Sequence, residues 1–509
     1  MEYLFDRLEE YGRGDMYPYH MPGHKRRHWG RLPEDMYLRD ITEIDGFDDL
    51  HQPEALLREV QEHAAALYGA EESFYLINGS TSGILSAVSA ALPECGRILM
   101  ARNCHKSAYH AVYLRNLSVS YLYPPFMREY DIFDGITAVQ VEEALKRNPD
   151  IDAVLIVSPT YEGRISDIAG IAEAVHARNI PFIVDEAHGA HLGFTKDFAE
   201  NSCRAGADLV IHSVHKTLPA LTQTALLHVN GKRIDRTLLR RFLHIYQSSS
   251  PSYLLMASID NALRYAENAG AAAFAAFAAN YKKLLADLSA CRYLRFLPLE
   301  PKRQDMGKLL ISTKMTNMSG KHLYDLLLTK YHLQLEMAAE TYALAMFTVN
   351  DEEEGYERLK SALLQIDASL QFAADGKQAA GDRMGSAGAG IAVVGGHSAK
   401  ADSAADAEYS AETEDAAEAI CFSETVSVSE VSLARAWDME KCYVKLQESA
   451  GYYAGEFVNL YPPGIPLLVP GERVTLRLVA DIQHYLDKGL NVQGLETGAD
   501  GVWISVLKG

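Results

Sequence analysis

Three short runs between Asp152 and Lys216, DAVLIVSP, PFIVDEAHG and ADLVIHSVHK, are apolar along most of their length, and the helix-patterned DIAGIAEAVHARN separates the first two. A strand with no polar alternation must be covered on both faces, so these runs predict a largely parallel sheet with helices on either side. The same alternation begins near Pro53. PEALLREVQEHAAALYG places Leu56, Val60, Ala64 and Leu67 on one helical face. SFYLI reads as a strand, the turn NGSTSG opens the helix ILSAVSAAL, and RILMA and VEEALKRN continue as strand and helix. The expected fold class is α/β, a mostly parallel central sheet with a small α+β domain at the C-terminus.

At 509 residues and 48% hydrophobic, the chain is longer than one core needs, which predicts two or three domains. An N-terminal segment (1–30), a large domain (31–270) and a small α/β region (271–372) are expected. AGAAAFAAFAA, at 269–279, is too short and too weakly apolar for a bilayer and reads as a packed helix. From 373 to 419 the chain is rich in Ala, Gly, Ser and Asp and nearly free of large apolar groups, so it reads as a disordered linker or insertion. Order is expected to return near Cys421, where FSETVSVSEV looks strand-like, and a C-terminal domain fills 420–509.

A net charge of −20 argues against nucleic-acid or anionic-membrane partners and mildly favours cationic small molecules, although solubility is the better account of the charge taken alone. Six cysteines without a CxxC pair suggest neither zinc nor a disulfide framework. The N-terminus lacks a signal-peptide pattern and no apolar stretch approaches the roughly 18 residues of a membrane span, so a reducing cytoplasm is expected and no metal is called for.

The chemically interesting residues fall at the carboxyl ends of the expected strands, where open α/β sheets bind ligands. After SFYLI, Gly79 allows a tight turn, and Ser80, Thr81 and Ser82 put hydroxyls beside the free N–H groups of a helix N-terminus. That suits a phosphate, or a simple helix cap. His105 follows RILMARN. Asp185 ends the next apolar strand, where its carboxylate needs a partner such as a protonated ring nitrogen unless it caps a turn. Lys216 follows at another strand end, where partial desolvation would leave a neutral, nucleophilic amine able to bond an aldehyde. A lone lysine is usually a surface charge. Together, however, a phosphate cradle, a strand-end aspartate, an imidazole and an amine match what pyridoxal phosphate requires.

HMPGHKR, DITEIDGFDDLHQP, NGSTSG, RNCHKS, SPTYEGRISDI, VDEAHGAHLGF, SVHKTLPALTQ, YQSSSPSY and YPPGIPLLVPGE occur in this order over nearly the whole chain. In these stretches the sequence resembles the ornithine/lysine/arginine decarboxylase family of fold-type I pyridoxal-phosphate enzymes, in its short form without an N-terminal wing domain. The resemblance makes 31–270 the cofactor-binding domain and 420–509 the C-terminal decarboxylase domain. It implies that Lys216 bonds the cofactor aldehyde, Asp185 pairs with the pyridine nitrogen and His105 stacks on the ring. It also implies that Gly79, Ser80, Thr81, Ser82, Ser213 and His215 hold the phosphate. Ser248 or Ser249 would reach the phosphate of a neighbouring subunit, making a homodimer the minimum assembly.

His188 is expected to position the ring or substrate, or else to be a structural histidine. Glu456, near YPPGIP, is the expected reader of the substrate's distal cation. His24 and Lys25 either shape the site entrance or serve structure alone. The implied reaction is decarboxylation of a basic amino acid, arginine ahead of lysine or ornithine. Rivals are another fold-type I reaction, such as transamination or elimination, and a cofactor-binding regulator without catalysis.

Overall fold

The computed structural model describes residues 3–14, 17–18, 20–22, 24–27, 33–268, 270–372, 431–461, 464–498 and 500–508. The expected linker at 373–419 and nearly all of FSETVSVSEV lie outside the described residues.

Seven strands form the central sheet. They are β1 (Glu72–Leu76), β2 (Arg97–Ala101), β3 (Ser118–Leu122), β4 (Ala153–Val157), β5 (Phe182–Asp185), β6 (Leu209–His212) and β7 (Ala225–Val229). Their order is β1-β7-β6-β5-β4-β2-β3. Strands β2 to β6 are mutually parallel where they pair, and β7 is antiparallel to both of its neighbours. Every residue of β5, β6 and β7 is buried, which is why these strands carry no polar alternation. The expectation missed β3 and β7: the sequence SVSYL has no continuous apolar run, and ALLHV is interrupted by a histidine.

The helix Leu56–Tyr68 buries Leu57, Val60, Gln61, Ala64, Ala65 and Tyr68, whereas Leu56 and Leu67 are only half-buried. The stripe is rotated from the expected one because Gln61 belongs to it. Its Oε1 accepts the Tyr75 N–H of β1 at 2.9 Å, so a polar residue earns a buried place by satisfying the strand's backbone. Helix α1 (Gly79–Ala91) packs tightly on the sheet, because a Cβ on Gly83 would stand 2.6 Å from Leu76 Cδ1 and 3.2 Å from Ile211 Cγ2.

A second, antiparallel sheet is built from β8 (Arg295–Phe296), β9 (Lys308–Ser312), β10 (Met337–Ala338) and β11 (Tyr342–Met346), in the order β8-β9-β11-β10. The Ala-rich helix Gly270–Leu288 buries Phe274, Phe277, Tyr281, Leu284 and Leu288. The C-terminal residues form two three-stranded sheets with their own core around Leu446, Val458, Ile482 and Ile504.

Arg102, just past β2, ties this C-terminal region to the large sheet. Its guanidinium is 2% exposed and donates to Pro466 O at 2.7 Å and to Glu472 Oε2 at 3.0 Å. Glu472 in turn accepts the Val469 N–H at 2.9 Å, so the YPPGIPLLVPGE segment is folded around one buried cation. No helix of the described residues is long and apolar enough to cross a membrane.

Candidate active site

Helix α1 begins directly after β1. Gly79 takes φ +74°, a left-handed turn that a side chain would resist, and no side chain caps the helix. The capping alternative therefore fails here, and the first-turn N–H groups remain available to an anion. Ser80 Oγ hydrogen-bonds Ser213 Oγ, which brings two of the expected phosphate hydroxyls together from β1 and β6. Thr81 is exposed beside them. The Ser82 hydroxyl instead donates back to Gly79 O at 2.8 Å. His215 is half-buried, with Nδ1 2.7 Å from Thr224 O. Ser248 N donates to Asn78 Oδ1 at 3.1 Å, placing the QSSSP run beside this turn, with Ser248 and Ser249 exposed.

Asp185 closes β5 and is 4% exposed. Burial pushes its pKa up to about 6, against the opposing pull of Lys216 and the Ala187 N–H. That N–H, at 3.2 Å, is the one hydrogen-bond donor to the carboxylate among the described residues.

Lys216 does not end β6. The strand stops at His212, and the lysine sits in the one-turn helix α2 (Val214–Thr217) that follows. Its Nζ lies 3.0 Å from His188 Nε2. Burial lowers the pKa of the amine and Asp185 partly restores it. Burial also holds His188 well below the ordinary histidine range, and its buried Nδ1 has no hydrogen-bond partner among the described residues.

His105 is the N-cap of helix α3 (Lys106–Leu114), where Nδ1 accepts the Ser107 N–H at 3.2 Å and fixes the ring. Its pKa falls to about 4, chiefly through burial. Gly464 stands against this ring: a Cβ there would meet His105 Nε2 and Cδ2 at 3.9 Å.

An uncapped helix N-terminus, a buried carboxylate with a single protein donor, an amine whose pKa burial lowers and an orphaned imidazole nitrogen together suit pyridoxal phosphate. Its phosphate, ring and aldehyde would fill those roles.

The structure does not bring Glu456 into this cluster. Its carboxylate accepts from Trp437 Nε1 and from Lys441 Nζ at 3.5 Å, and Trp437 packs on His110 and Tyr113 of α3. After Asp185, a second carboxylate that acts on Lys216 is that of Glu336, exposed at the edge of the second sheet and accepting the Tyr161 hydroxyl. The Tyr161 ring meets His188 edge-on at 4.9 Å. Neither residue was expected to act. LQLEM alternates like any half-solvated strand, so Glu336 reads as a surface acid, and SPTYEGR carried no reason to single out its tyrosine. His24 pairs with Asp40 at 3.2 Å and Lys25 Nζ donates to His20 O at 2.5 Å, contacts within the N-terminal region.

The sequence matches the family described as Orn/Lys/Arg decarboxylase, by its major domain over residues 3–305 and by its C-terminal domain over residues 413–507. The chain belongs to the ornithine/lysine/arginine decarboxylase family. As a member it is a pyridoxal-phosphate-dependent decarboxylase of basic amino acids. It is 30% identical over 506 residues to "Uncharacterized protein YaaO" of Bacillus subtilis, covering 96% of this chain and 95% of that one. It is 28% identical over 511 residues to "Arginine decarboxylase" of the same organism, covering 97% and 95%. The fold superposes on the lysine decarboxylase A of Pseudomonas aeruginosa with a TM-score of 0.77 at 18% identity, over 100% of this chain and 80% of that chain. The long sheet, the second sheet and the C-terminal region are thus those of the family's fold.

Proposed function

We propose that this decarboxylase acts on arginine in preference to lysine and ornithine, releasing the amine for polyamine synthesis. It would work in the cytoplasm as a homodimer. The observation that carries the reading of the site is the arrangement of Lys216, His188 and Asp185 beneath the uncapped start of α1. Arginine is favoured because the relatives matched over nearly the whole chain include several named arginine decarboxylase, such as that of Bacillus anthracis at 29% identity over 97% of this chain. Those named lysine decarboxylase align with only 40–51% of it.

When bound, pyridoxal phosphate supplies an aldehyde that condenses with amines and a ring that takes up the electrons released as carbon dioxide leaves. The protein's own groups do the rest. The α1 N–H groups with Ser80, Thr81 and Ser213 hold the phosphate, supported by Gly79, Ser82 and His215 around them. Asp185 holds a proton at the ring nitrogen, and His105, locked by Ser107, covers the ring. Burial favours the neutral form of the Lys216 amine, and His188 Nε2 stands within hydrogen-bond reach of it, so this pair can deliver a proton to the substrate's α-carbon. Glu336, which forms no ion pair among the described residues, receives the distal guanidinium in place of Glu456. Ser248 and Ser249, exposed in the single chain beside Asn78, serve the phosphate of the second subunit.

Incubating the purified holoenzyme with arginine, lysine and ornithine separately, and measuring carbon dioxide and amine, tests the assignment. Arginine is expected to turn over fastest. A faster reaction with lysine or ornithine would overturn the preference, and loss of carbon dioxide from none of the three would overturn the activity. Sedimentation equilibrium is expected to give a dimer.

A further inference from the structure

Behind the site lies a group of buried polar residues that the chemistry above leaves unused. Successive strand residues face opposite sides of a sheet. Asp185 pairs with Ile211, so Asp185, Ile211 and Ser213 share the face on which α1 packs, and Glu186 and His212 share the other. Val210 pairs with His228, and His228 with Ser73, which puts Ser73 and His228 on that second face as well. There the four residues form a file. Ser73 Oγ is 2.6 Å from His228 Nδ1, His228 Nε2 is 3.0 Å from His212 Nδ1, and His212 Nε2 is 2.6 Å from Glu186 Oε2. Ser202 ends the file, its hydroxyl donating to Glu186 Oε1 at 2.6 Å and its N–H to the same carboxyl. None of the four is more than 5% exposed, and the Tyr68 ring covers both imidazoles at 4.7 and 4.8 Å.

Burying four polar groups is costly unless each is bonded, and in this file every one is. Two of its members adjoin site residues in the chain: Glu186 follows Asp185, and His212 precedes Ser213. The file crosses β1, β7, β6 and the end of β5, the strands from which Ser80, Ser213, Lys216 and Asp185 are presented.

We infer that the Ser73–His228–His212–Glu186 file is a positioning relay for the cofactor end of the site, a chain of hydrogen bonds with a single direction that holds the ends of β5 and β6 from behind. A neutral imidazole has one donor and one acceptor, so the two histidines cannot orient independently. If His212 Nε2 accepts from Glu186, its Nδ1–H donates to His228 Nε2, and the His228 Nδ1–H then donates to Ser73. If Glu186 accepts, every bond reverses. Glu186, His212 and His228 are positioning residues acting through Asp185 and Ser213. None of them touches the face that binds the cofactor.

Glu186→Gln favours one direction: with the Ser202 hydroxyl still donating to the amide oxygen, the amide N–H donates to His212. Nitrogen NMR of histidine-labelled apoenzyme carrying this change is expected to show both His212 and His228 protonated on Nδ1. Unlike tautomers, one ring protonated on Nδ1 and the other on Nε2, would overturn the relay. Cofactor affinity, measured by absorbance titration, supplies the second readout. Ser73→Ala leaves a buried N–H unpaired when the direction is locked, so its penalty on cofactor affinity is expected to be about tenfold larger in the Glu186→Gln background than in the natural one. Ser73 and Glu186 do not touch, so equal penalties in the two backgrounds would overturn the inference. Ser73→Ala also removes few contacts, so the test survives if a histidine variant fails to fold.

Discussion

Lys216 Nζ and His188 Nε2 stand 3.0 Å apart, two nitrogens that cannot both be fully protonated at that distance. Burial lowers the proton affinity of each, His188 the further, and the two nitrogens lie within proton-transfer reach of one another. Lys216→Ala is expected to abolish the absorbance band of the lysine–cofactor bond and to lower turnover by about a thousandfold or more. His188→Asn is expected to keep that band while reducing kcat roughly 100-fold, the usual worth of a positioned acid–base group. Absorbance and steady-state kinetics on the two variants check both outcomes, and loss of the band in His188→Asn would contradict them.

Asp185 titrates near pH 6 in the empty site because its charged form is desolvated. Below that pH it loses the negative charge that would hold a protonated ring nitrogen. Cofactor capture by the apoenzyme is therefore expected to strengthen as pH rises through about 6, and Asp185→Asn to remove this step and weaken capture at least tenfold. A binding titration between pH 5 and pH 8 measures it.

Glu336 and Glu456 make opposite predictions. Glu336→Gln is expected to raise KM for arginine about tenfold or more, as loss of one charge-assisted contact implies, with little change in cofactor affinity. Glu456→Gln is expected to leave KM within about twofold, since that carboxylate is engaged by Trp437 and Lys441. Kinetics with arginine separate the two, and the reverse pattern would restore Glu456 as the reader of the cation.

Arg102 is a buried cation whose guanidinium donates to Pro466 O and Glu472 of the C-terminal segment and to Tyr109. Glu472→Ala strands that charge and is expected to cost about 3–5 kcal/mol of stability, lowering Tm. Double replacement, Arg102→Met with Glu472→Leu, should recover part of the loss. Calorimetry on the apoenzymes tests the recovery, which a merely disruptive position would not show.

Stability should also depend on pH in a definite direction. Burial raises Asp185 to about 6 and Glu186 to about 8, so each contributes most when protonated and loses that contribution as pH rises through those values. His105, lowered to about 4, acts oppositely: its contribution is present above the ordinary histidine range and disappears as pH falls through 4. Apoenzyme Tm is expected to fall between pH 6 and pH 8 and to level off above that, with Glu186→Gln flattening this decline by several degrees.

The apolar runs of β4, β5 and β6 and the helices between them were legible in the sequence, because a strand buried on both faces must be apolar along its length. Asp185 was legible for the same reason: a carboxylate ending such a strand has no bland environment available. Lys216 was legible only in company, and its exact seat, one turn beyond β6, was not. The sequence by itself determined the layered fold class, the family motifs and the set of groups able to serve a cofactor. Only the tertiary structure decided how Glu336 and Glu456 are engaged, because Glu456 is held by Trp437 and Lys441 while Glu336 accepts from Tyr161, and neither contact is local in the chain. It also decided the back of the site. His212 and His228 are lone polar residues in apolar strands, and only the pairing register of β1, β7 and β6 aligns them with Ser73 and Glu186, since a hydrogen bond across strands depends on which residues the fold sets opposite one another.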